Sequence, residues 1–158
     1  MDLCGKLETD VQIKSPAKKF HEILHLSPHH MPNVTKNPKH HIRGCELHEG
    51  EWGKVGSVLN WTYFHGGKEC VAKELIEAID EEKNLITFKV TDGDILEHYK
   101  SFKFTMQCIP KKKGSVVHWT LEYEKQHDKI PESHESLLEF CVDVSKDLDA
   151  HLMEMDNN

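Results

Sequence analysis

The chain has 158 residues, of which 37% are hydrophobic and 30% charged, and its formal net charge is −7. This composition argues against disorder, and the length predicts a single domain, residues 1–158, with a sizeable core. The acidic balance argues against a general nucleic-acid-binding protein, because phosphate contacts need a basic face. No apolar stretch approaches the ~18 residues of a membrane span, so no stable membrane insertion is expected.

The first part of the chain predicts one strand and two short helices. Apolar and polar residues alternate from Leu7 to Ile13, which is typical of a half-buried strand. Ser15-Pro16 then predicts an N-cap with proline at the first helical position. Ser27-Pro28 marks the start of a second short helix.

The middle of the chain predicts six strands joined by short turns, and the end predicts one long helix. The strands are expected at His40 to Leu47, Ser57 to Phe64, Glu69 to Asp80, Leu85 to Thr91, His98 to Ile109 and Ser115 to Glu124. Strands with such short connections form an antiparallel meander. The segment from about Ser133 to Met155 is amphipathic at helical spacing. Its apolar stripe must pack on the sheet, so the fold class is α+β.

Three glycines, Gly50, Gly53 and Gly56, lie at a spacing of three between two predicted strands. They indicate a strand-to-strand turn, since glycine adopts positive φ at little cost. No P-loop pattern is present and no helix follows to hold phosphate, so this glycine-rich loop is expected to bind no nucleotide. We expect a rigid loop beside the interior of the fold.

The chain resembles the major latex proteins of plants, within the birch-pollen-allergen and intracellular pathogenesis-related superfamily. The matching stretches occur in order along nearly the whole chain: Gly5 to Val11, Pro28 to His30, Ile42 to Cys45, His48 to Gly53, Ala72 to Glu74, Glu77 to Asp80, Tyr99 to Phe102, Val116 to Lys125 and Phe140 to Asp147. The resemblance implies a helix-grip fold, with a seven-stranded antiparallel sheet curved around a long C-terminal helix, two short helices after the first strand and a large internal cavity. It also implies an intracellular protein that binds hydrophobic small molecules and is linked to defence or stress responses.

Strand alternation and helical spacing nominate the residues that face the interior. They are Leu59, Trp61, Tyr63, Lys73, Ile86, Phe88, Val90, Phe102, Phe104, Trp119 and Leu121 from the strands, and Leu137, Leu138, Cys141 and Val142 from the helix. In a filled domain these side chains would pack a core, whereas in the hollow fold that the resemblance implies they line a ligand pocket. β-Bulges can reverse the facing of a strand after any turn.

The segment His21 to His25 reads HExxH, which on a helix can bind zinc. The predicted helix is short and no third ligand follows, so we expect no metal and no cofactor. His25 alone is a candidate hydrogen-bond donor to a ligand. Lys73 is a candidate base, because desolvation lowers the pKa of an inward-facing lysine.

The five cysteines are scattered and form no CxxC pair, and no secretory signal is recognised. They are therefore interpreted as reduced thiols of a cytoplasmic protein. The favoured function is a carrier or buffer for fatty acids, steroids or flat aromatic plant metabolites. The alternative is an enzyme of specialised metabolism, an isomerase or elimination catalyst, that uses the same pocket. A nuclease is disfavoured by the acidic charge. A monomer is expected, with a weak dimer as the alternative.

Overall fold

The computed structural model describes residues 2–129 and 134–156. Within them the chain forms seven strands, numbered in chain order: β1 Cys4–Ile13, β2 His41–Glu49, β3 Val58–His65, β4 Lys68–Asp80, β5 Leu85–Gly93, β6 Tyr99–Pro110 and β7 Ser115–Lys125. Each pair of neighbouring strands is antiparallel, and the order in the sheet is β1-β7-β6-β5-β4-β3-β2. The predicted meander is therefore confirmed, with β1 joined to its far end.

The described helices are α1 Ala17–Leu26, α2 Met31–Val34 and α3 His134–Asp156, and single 3₁₀ turns lie at Pro28–His30 and Asp94–Glu97. The predicted start of the last helix at Ser133 lies outside the described residues. Helix α3 contacts both β1 and β2, the two outermost strands of the sheet. One helix can contact both edges only if the sheet curves around it, so the predicted helix-grip fold is confirmed.

Strand irregularities give the sheet part of its curvature. Register shifts occur in the β2–β3, β4–β5 and β6–β7 pairs, including one at Lys73/Glu74. An extra residue in one strand of a pair bends that strand and increases its twist. The facing of β4 is nevertheless continuous, because Cys70, Ala72, Glu74 and Ile76 are all buried.

Carboxylates of α3 hold the loops that cross over the helix. Asp149 accepts hydrogen bonds from the backbone N–H groups of Lys14 and Ser15 at 3.0 and 2.9 Å. Asp147 accepts from the N–H groups of Lys36 and Asn37 at 2.7 and 2.9 Å. Backbone donors of irregular segments need such acceptors when they are removed from water. These contacts fix the position of α3 against the β1–α1 and α2–β2 connections.

The predicted N-cap of α1 was wrong in one respect. The helix begins at Ala17, the preceding residue is Pro16, and no side chain caps it. Ser15 Oγ contacts the Asp149 carboxylate instead. The serine hydroxyl thus joins α1's entry to α3 rather than to its own helix. None of the described helices is both long and apolar enough to cross a membrane.

Candidate functional site

An apolar cavity lies between the inner face of the sheet and α3. Its walls come from six strands, α1, α3 and the 3₁₀ turn before β6. The wall residues are Leu24, Ile42, Trp61, Tyr63, Ala72, Glu74, Phe88, Ile95, Phe104, Trp119, Leu137, Phe140, Cys141 and Val144. The volume of the cavity is about 80 Å³. The cavity is therefore narrow, and six of its wall residues are aromatic: Trp61, Tyr63, Phe88, Phe104, Trp119 and Phe140.

Seven of the nominated residues line this cavity: Trp61, Tyr63, Phe88, Phe104, Trp119, Leu137 and Cys141. Five others, Leu59, Ile86, Val90, Phe102 and Leu121, are buried but lie outside its walls. Strand alternation thus identified the buried face of these strands. It did not separate the residues that border the void from those packed above and below it.

Three nominated residues do not face the cavity. Lys73 is paired with Asn60 of β3 and lies between buried Ala72 and Glu74, so its side chain is on the outer face with Val71, which is 54% exposed. The expectation that Lys73 faces inward was wrong, and with it the idea of a desolvated lysine base. Leu138 and Val142 line a groove with Thr9 on the outer side of α3.

The cavity residues that the sequence analysis did not nominate are Leu24, Ile42, Ala72, Glu74, Ile95, Phe140 and Val144. Phe140 is the half-buried member of the cavity wall, whereas the other wall residues are buried. Its ring contacts Tyr63, with the ring centroids 5.4 Å apart, and His40 at 5.8 Å. Phe140 therefore marks the side on which the cavity approaches solvent.

Among the described residues of the cavity wall, Glu74 is the only acidic or basic residue. Its residue surface is 8% exposed, and its neighbours in register are Leu59 on β3 and Val90 on β5. Burial raises the pKa of the Glu74 carboxyl to about 8, and the nearby Trp61 indole N–H acts in the opposite direction. Loss of hydration destabilises the ionised form. Near neutral pH this carboxyl is therefore predominantly a neutral acid.

The two tryptophans of the cavity differ in their hydrogen bonding. Trp119 Nε1 donates to Ser145 Oγ at 2.8 Å, and Ser145 Oγ donates to the Cys141 carbonyl at 2.7 Å. Trp61 Nε1 is buried and is directed toward the Glu74 carboxyl, but no atom of the described residues accepts it within hydrogen-bond geometry. Buried donors are normally paired. The Trp61 N–H is therefore a polar group that the fold leaves open.

The glycine-rich loop packs on the end of α1 and contributes no residue to the cavity wall. Gly53 has φ +79°, and a Cβ there would lie 2.8 Å from Leu26 Cδ2. His25 Nε2 lies 2.9 Å from the Gly53 carbonyl oxygen. His25 thus contacts the loop and not the cavity, although its neighbour Leu24 lines the cavity. The position of a rigid loop beside the cavity stays a prediction.

The HExxH histidines stand close together. The rings of His21 and His25 have centroids 5.0 Å apart, and no cluster of three metal-ligating side chains occurs among the described residues. Both ring nitrogens of His21 are buried without a hydrogen-bond partner. Burial, and then the neighbouring His25, lower the pKa of His21. His21 is thus a buried imidazole on α1 whose protonation is disfavoured.

All five cysteine sulfurs are unpaired, with Cys4 exposed and the other four buried. Burial raises the pKa values of the Cys45 and Cys141 thiols. Neutral thiols are poor nucleophiles. Cys141 therefore contributes a small apolar surface to the cavity rather than a reactive group.

A seven-stranded antiparallel sheet curved around a C-terminal helix, with an apolar cavity between them, defines a helix-grip protein. Residues 2–155 match the sequence profile of the pathogenesis-related protein Bet v 1 family, and the chain belongs to this family. Bet v 1 proteins bind hydrophobic ligands.

Comparisons with individual proteins give the branch of the family. MLP-like protein 31 of Arabidopsis thaliana is 56% identical over 153 residues, which cover 96% of this chain and 87% of that protein. The crystal structure of ginseng major latex-like protein 151 from Panax ginseng matches with a TM-score of 0.88 and 44% identity, over 94% of this chain and 97% of that one. The solution structure of an Arabidopsis thaliana member of the major latex protein family matches with a TM-score of 0.68 and 52% identity, over 96% of both chains. The chain is thus a major latex protein family member.

Proposed function

We propose that this protein is a non-enzymatic cytoplasmic carrier or buffer for hydrophobic small molecules, linked to defence or stress responses, and that residues 1–158 act as one monomeric ligand-binding domain. The ligand classes are fatty acids, steroids or flat aromatic plant metabolites. The observation that carries the proposal is the cavity, whose wall is apolar except for a few polar atoms. Such pockets bind apolar ligands and orient them through one or two hydrogen bonds.

The energetics favour binding once the cavity widens. Burial of apolar surface contributes ~25 cal/mol per Å², so a small lipid or aromatic ligand reaches micromolar affinity after the costs of association. Pockets for such ligands usually measure roughly 300–1,000 Å³. The narrow void therefore needs side-chain movement, and Phe140 is the wall residue best placed to move because it is half-exposed.

The ligand contacts that we propose are the cavity residues on which the sequence pattern and the structure agree. They are Trp61, Tyr63, Phe88, Phe104 and Trp119 from the sheet and Leu137 and Cys141 from α3. Glu74 and Phe140 are added from the structure. Lys73, Leu138 and Val142 are not proposed as ligand contacts. Lys73 lies on the outer face of the sheet, and Leu138 and Val142 line the outer groove.

Filling the cavity tests the carrier function. Cys141→Trp places a large side chain inside the wall, and we expect it to weaken binding of a fatty acid and a steroid by at least roughly tenfold, or ~1.4 kcal/mol. Val142→Trp is the matched control, because Val142 is adjacent on α3 but lies in the outer groove. Affinity is measured by calorimetry, and folding by circular dichroism.

The same comparison can refute the proposal. If wild-type protein binds none of these ligands saturably, the carrier function is wrong. If both tryptophan variants bind as wild type does, the ligand lies outside this cavity. Overpacking alone costs ~1–3 kcal/mol of stability, so thermal unfolding of both variants separates a folding defect from a filled site.

The enzyme alternative is favoured by one observation, the buried Glu74 carboxyl with its raised pKa. A general acid or base needs a pKa near the working pH, and about 8 meets that condition. Acid–base isomerisation usually employs a second titratable group at the substrate. The other described wall residues offer only the Tyr63 phenol and the Cys141 thiol, whose pKa values burial raises. Turnover of a cavity ligand that Glu74→Gln abolishes would establish the enzyme.

A further inference from the structure

We propose that Trp61 and Glu74 form a hydrogen-bonding site in the cavity that recognises an acceptor oxygen, a carbonyl or hydroxyl, on an uncharged apolar ligand. This inference rests on the proposed function, because it names the ligand chemistry that the cavity selects. It predicts that neutral ligands bind more tightly than cationic or anionic ligands of the same size.

The register of β3 and β4 brings the two side chains together. Trp61 is opposite Ala72, and Leu59 is opposite Glu74, so Trp61 and Glu74 are diagonal neighbours on the same face of the pair. Diagonal neighbours lie within reach of aromatic and long side chains. Both residues line the cavity. Their polar atoms therefore meet the same ligand from adjacent strands.

Trp61 supplies the first donor. Its indole N–H is buried and is directed toward the Glu74 carboxyl, but no atom of the described residues accepts it within hydrogen-bond geometry. An unpaired buried N–H is destabilising, and native proteins seldom retain one without a reason. In the other cavity tryptophan, Trp119, the N–H is taken up by Ser145. A ligand oxygen beside Trp61 would satisfy the group that the fold leaves unpaired.

Glu74 supplies the second donor. As a neutral acid it carries one O–H, and an ionised carboxylate has none. The titratable groups that face it are Cys45 on β2, Tyr63 on β3 and Cys141 on α3. Burial raises the pKa of each of these, so all three are neutral around pH 7. Glu74 therefore has no cationic neighbour in the described part of the cavity that would hold it ionised.

Two converging donors select against charged ligands. An ammonium group has no acceptor site for the Trp61 N–H. If it paired with an ionised Glu74, two charges would be buried in the apolar cavity at a large desolvation cost. A carboxylate has acceptor oxygens but pays the same desolvation cost without a cation to neutralise it. A ketone or alcohol oxygen accepts both hydrogen bonds and remains neutral. The site thus fits an uncharged oxygen function on an apolar body.

Four probes with eight carbons each test the selection: ethylbenzene, acetophenone, 1-phenylethylamine and phenylacetate. They share a phenyl ring small enough for the narrow cavity and differ in the polar group. NMR-detected titration of the full chain at about pH 6.5, below the raised pKa of Glu74, measures each affinity. We expect acetophenone to bind roughly tenfold more tightly than ethylbenzene, which corresponds to two hydrogen bonds of ordinary net strength. The amine and the carboxylate should bind more weakly than acetophenone.

Variants and pH identify the donors. Trp61→Phe should remove about half of the free-energy preference for acetophenone, which is a roughly threefold loss. In the wild type the preference should fall at about pH 9.5, where Glu74 ionises. Glu74→Gln retains an N–H donor, so its preference should be the same at both pH values. Glu82→Gln, in an exposed turn, is the matched control and should behave as wild type.

The outcomes separate this inference from the proposed function. Equal binding of ethylbenzene and acetophenone overturns the inference and leaves the carrier function intact. Tightest binding of the amine, or of the carboxylate, also overturns it. A preference for acetophenone that Trp61→Phe and pH leave unchanged places the hydrogen bond elsewhere and overturns it as well. If no probe binds and fatty acids and steroids do not bind either, the carrier function fails together with the inference.

Discussion

Trp61 and Trp119 lie on different strands of one sheet and line one cavity, yet their surroundings differ. The Trp119 N–H is part of a chain of hydrogen bonds through Ser145 to the backbone of α3. Among the described residues the Trp61 N–H has no acceptor within hydrogen-bond geometry, and its neighbour is the Glu74 carboxyl, whose pKa burial raises to about 8. The first arrangement ties the sheet to the helix and stabilises the fold. The second carries a free-energy cost that folding does not recover, which is the pattern expected of a binding site.

The largest expected effect that bears on this comparison is the pH dependence of the unfolding free energy. Glu74 has an ordinary pKa near 4.5 when unfolded and about 8 when folded. The folded chain therefore holds its proton more tightly, and the resulting stability is full below about pH 4.5 and is lost as the pH rises through about 8. At ~1.4 kcal/mol per pH unit, the loss is on the order of 5 kcal/mol.

Glu74→Gln should remove that loss. The wild type and the variant are compared by chemical denaturation at about pH 5, 7 and 9, where the variant's unfolding free energy should rise relative to wild type with each step. Glu82→Gln controls for the general effect of deleting a surface carboxylate. Parallel pH profiles for Glu74→Gln and wild type would mean that Glu74 ionises normally. The contrast between the two tryptophans would then rest only on their N–H groups.

The inward orientation of Glu74 could have been predicted from the sequence. The turn Gly66-Gly67 has two residues, and a two-residue hairpin fixes the register of its strands. His65 then pairs with Lys68, and counting back places Trp61 opposite Ala72 and Leu59 opposite Glu74. The prediction that Lys73 faces inward treated β4 by itself. Register from the turn would have placed Lys73 outside and Glu74 inside.

The face of α3 was harder to predict. Apolar residues at Leu137, Leu138, Cys141 and Val142 cover more of the helix surface than the cavity does, so helical spacing alone admitted both sides. Contact with the edge strand β1 determines which side of α3 faces away from the cavity, because β1 packs on the side that bears Leu138 and Val142. The extent of the void was beyond sequence reasoning altogether. It depends on how much of the space between the sheet and α3 is filled by side chains such as Phe88, Phe104 and Trp119, and strand alternation does not describe side-chain packing.

A second test removes the same atoms from both tryptophans. Trp119→Phe and Trp61→Phe delete an equal volume, but the first breaks the 2.8 Å hydrogen bond to Ser145, whereas the second removes an N–H that is directed toward Glu74 outside hydrogen-bond geometry. We expect Trp119→Phe to lower the unfolding free energy by about 1 kcal/mol more than Trp61→Phe, the net value of one intramolecular hydrogen bond. Denaturation near pH 6.5 measures both. Equal costs would mean that the Ser145 hydrogen bond contributes no stability, and the two indoles would then be equivalent.

The smallest expected effect is spectroscopic, and it bears directly on which tryptophan meets the ligand. An aliphatic alcohol such as 1-octanol carries an acceptor oxygen and does not absorb the exciting light, so any change in emission arises from the indole environment. Trp52 lies in the glycine-rich loop against His29, with ring centroids 4.2 Å apart, and it is outside the cavity wall. Trp119 already has its N–H bonded, so a ligand alters only its apolar contacts. Trp61 gains a hydrogen bond and should therefore account for most of the change. Trp52→Phe should leave the ligand-induced change intact, Trp119→Phe should reduce it, and Trp61→Phe should reduce it most. A change of full size in Trp61→Phe would show that the alcohol does not reach the unpaired indole N–H, which would leave Trp61 as a wall residue with no part in recognition.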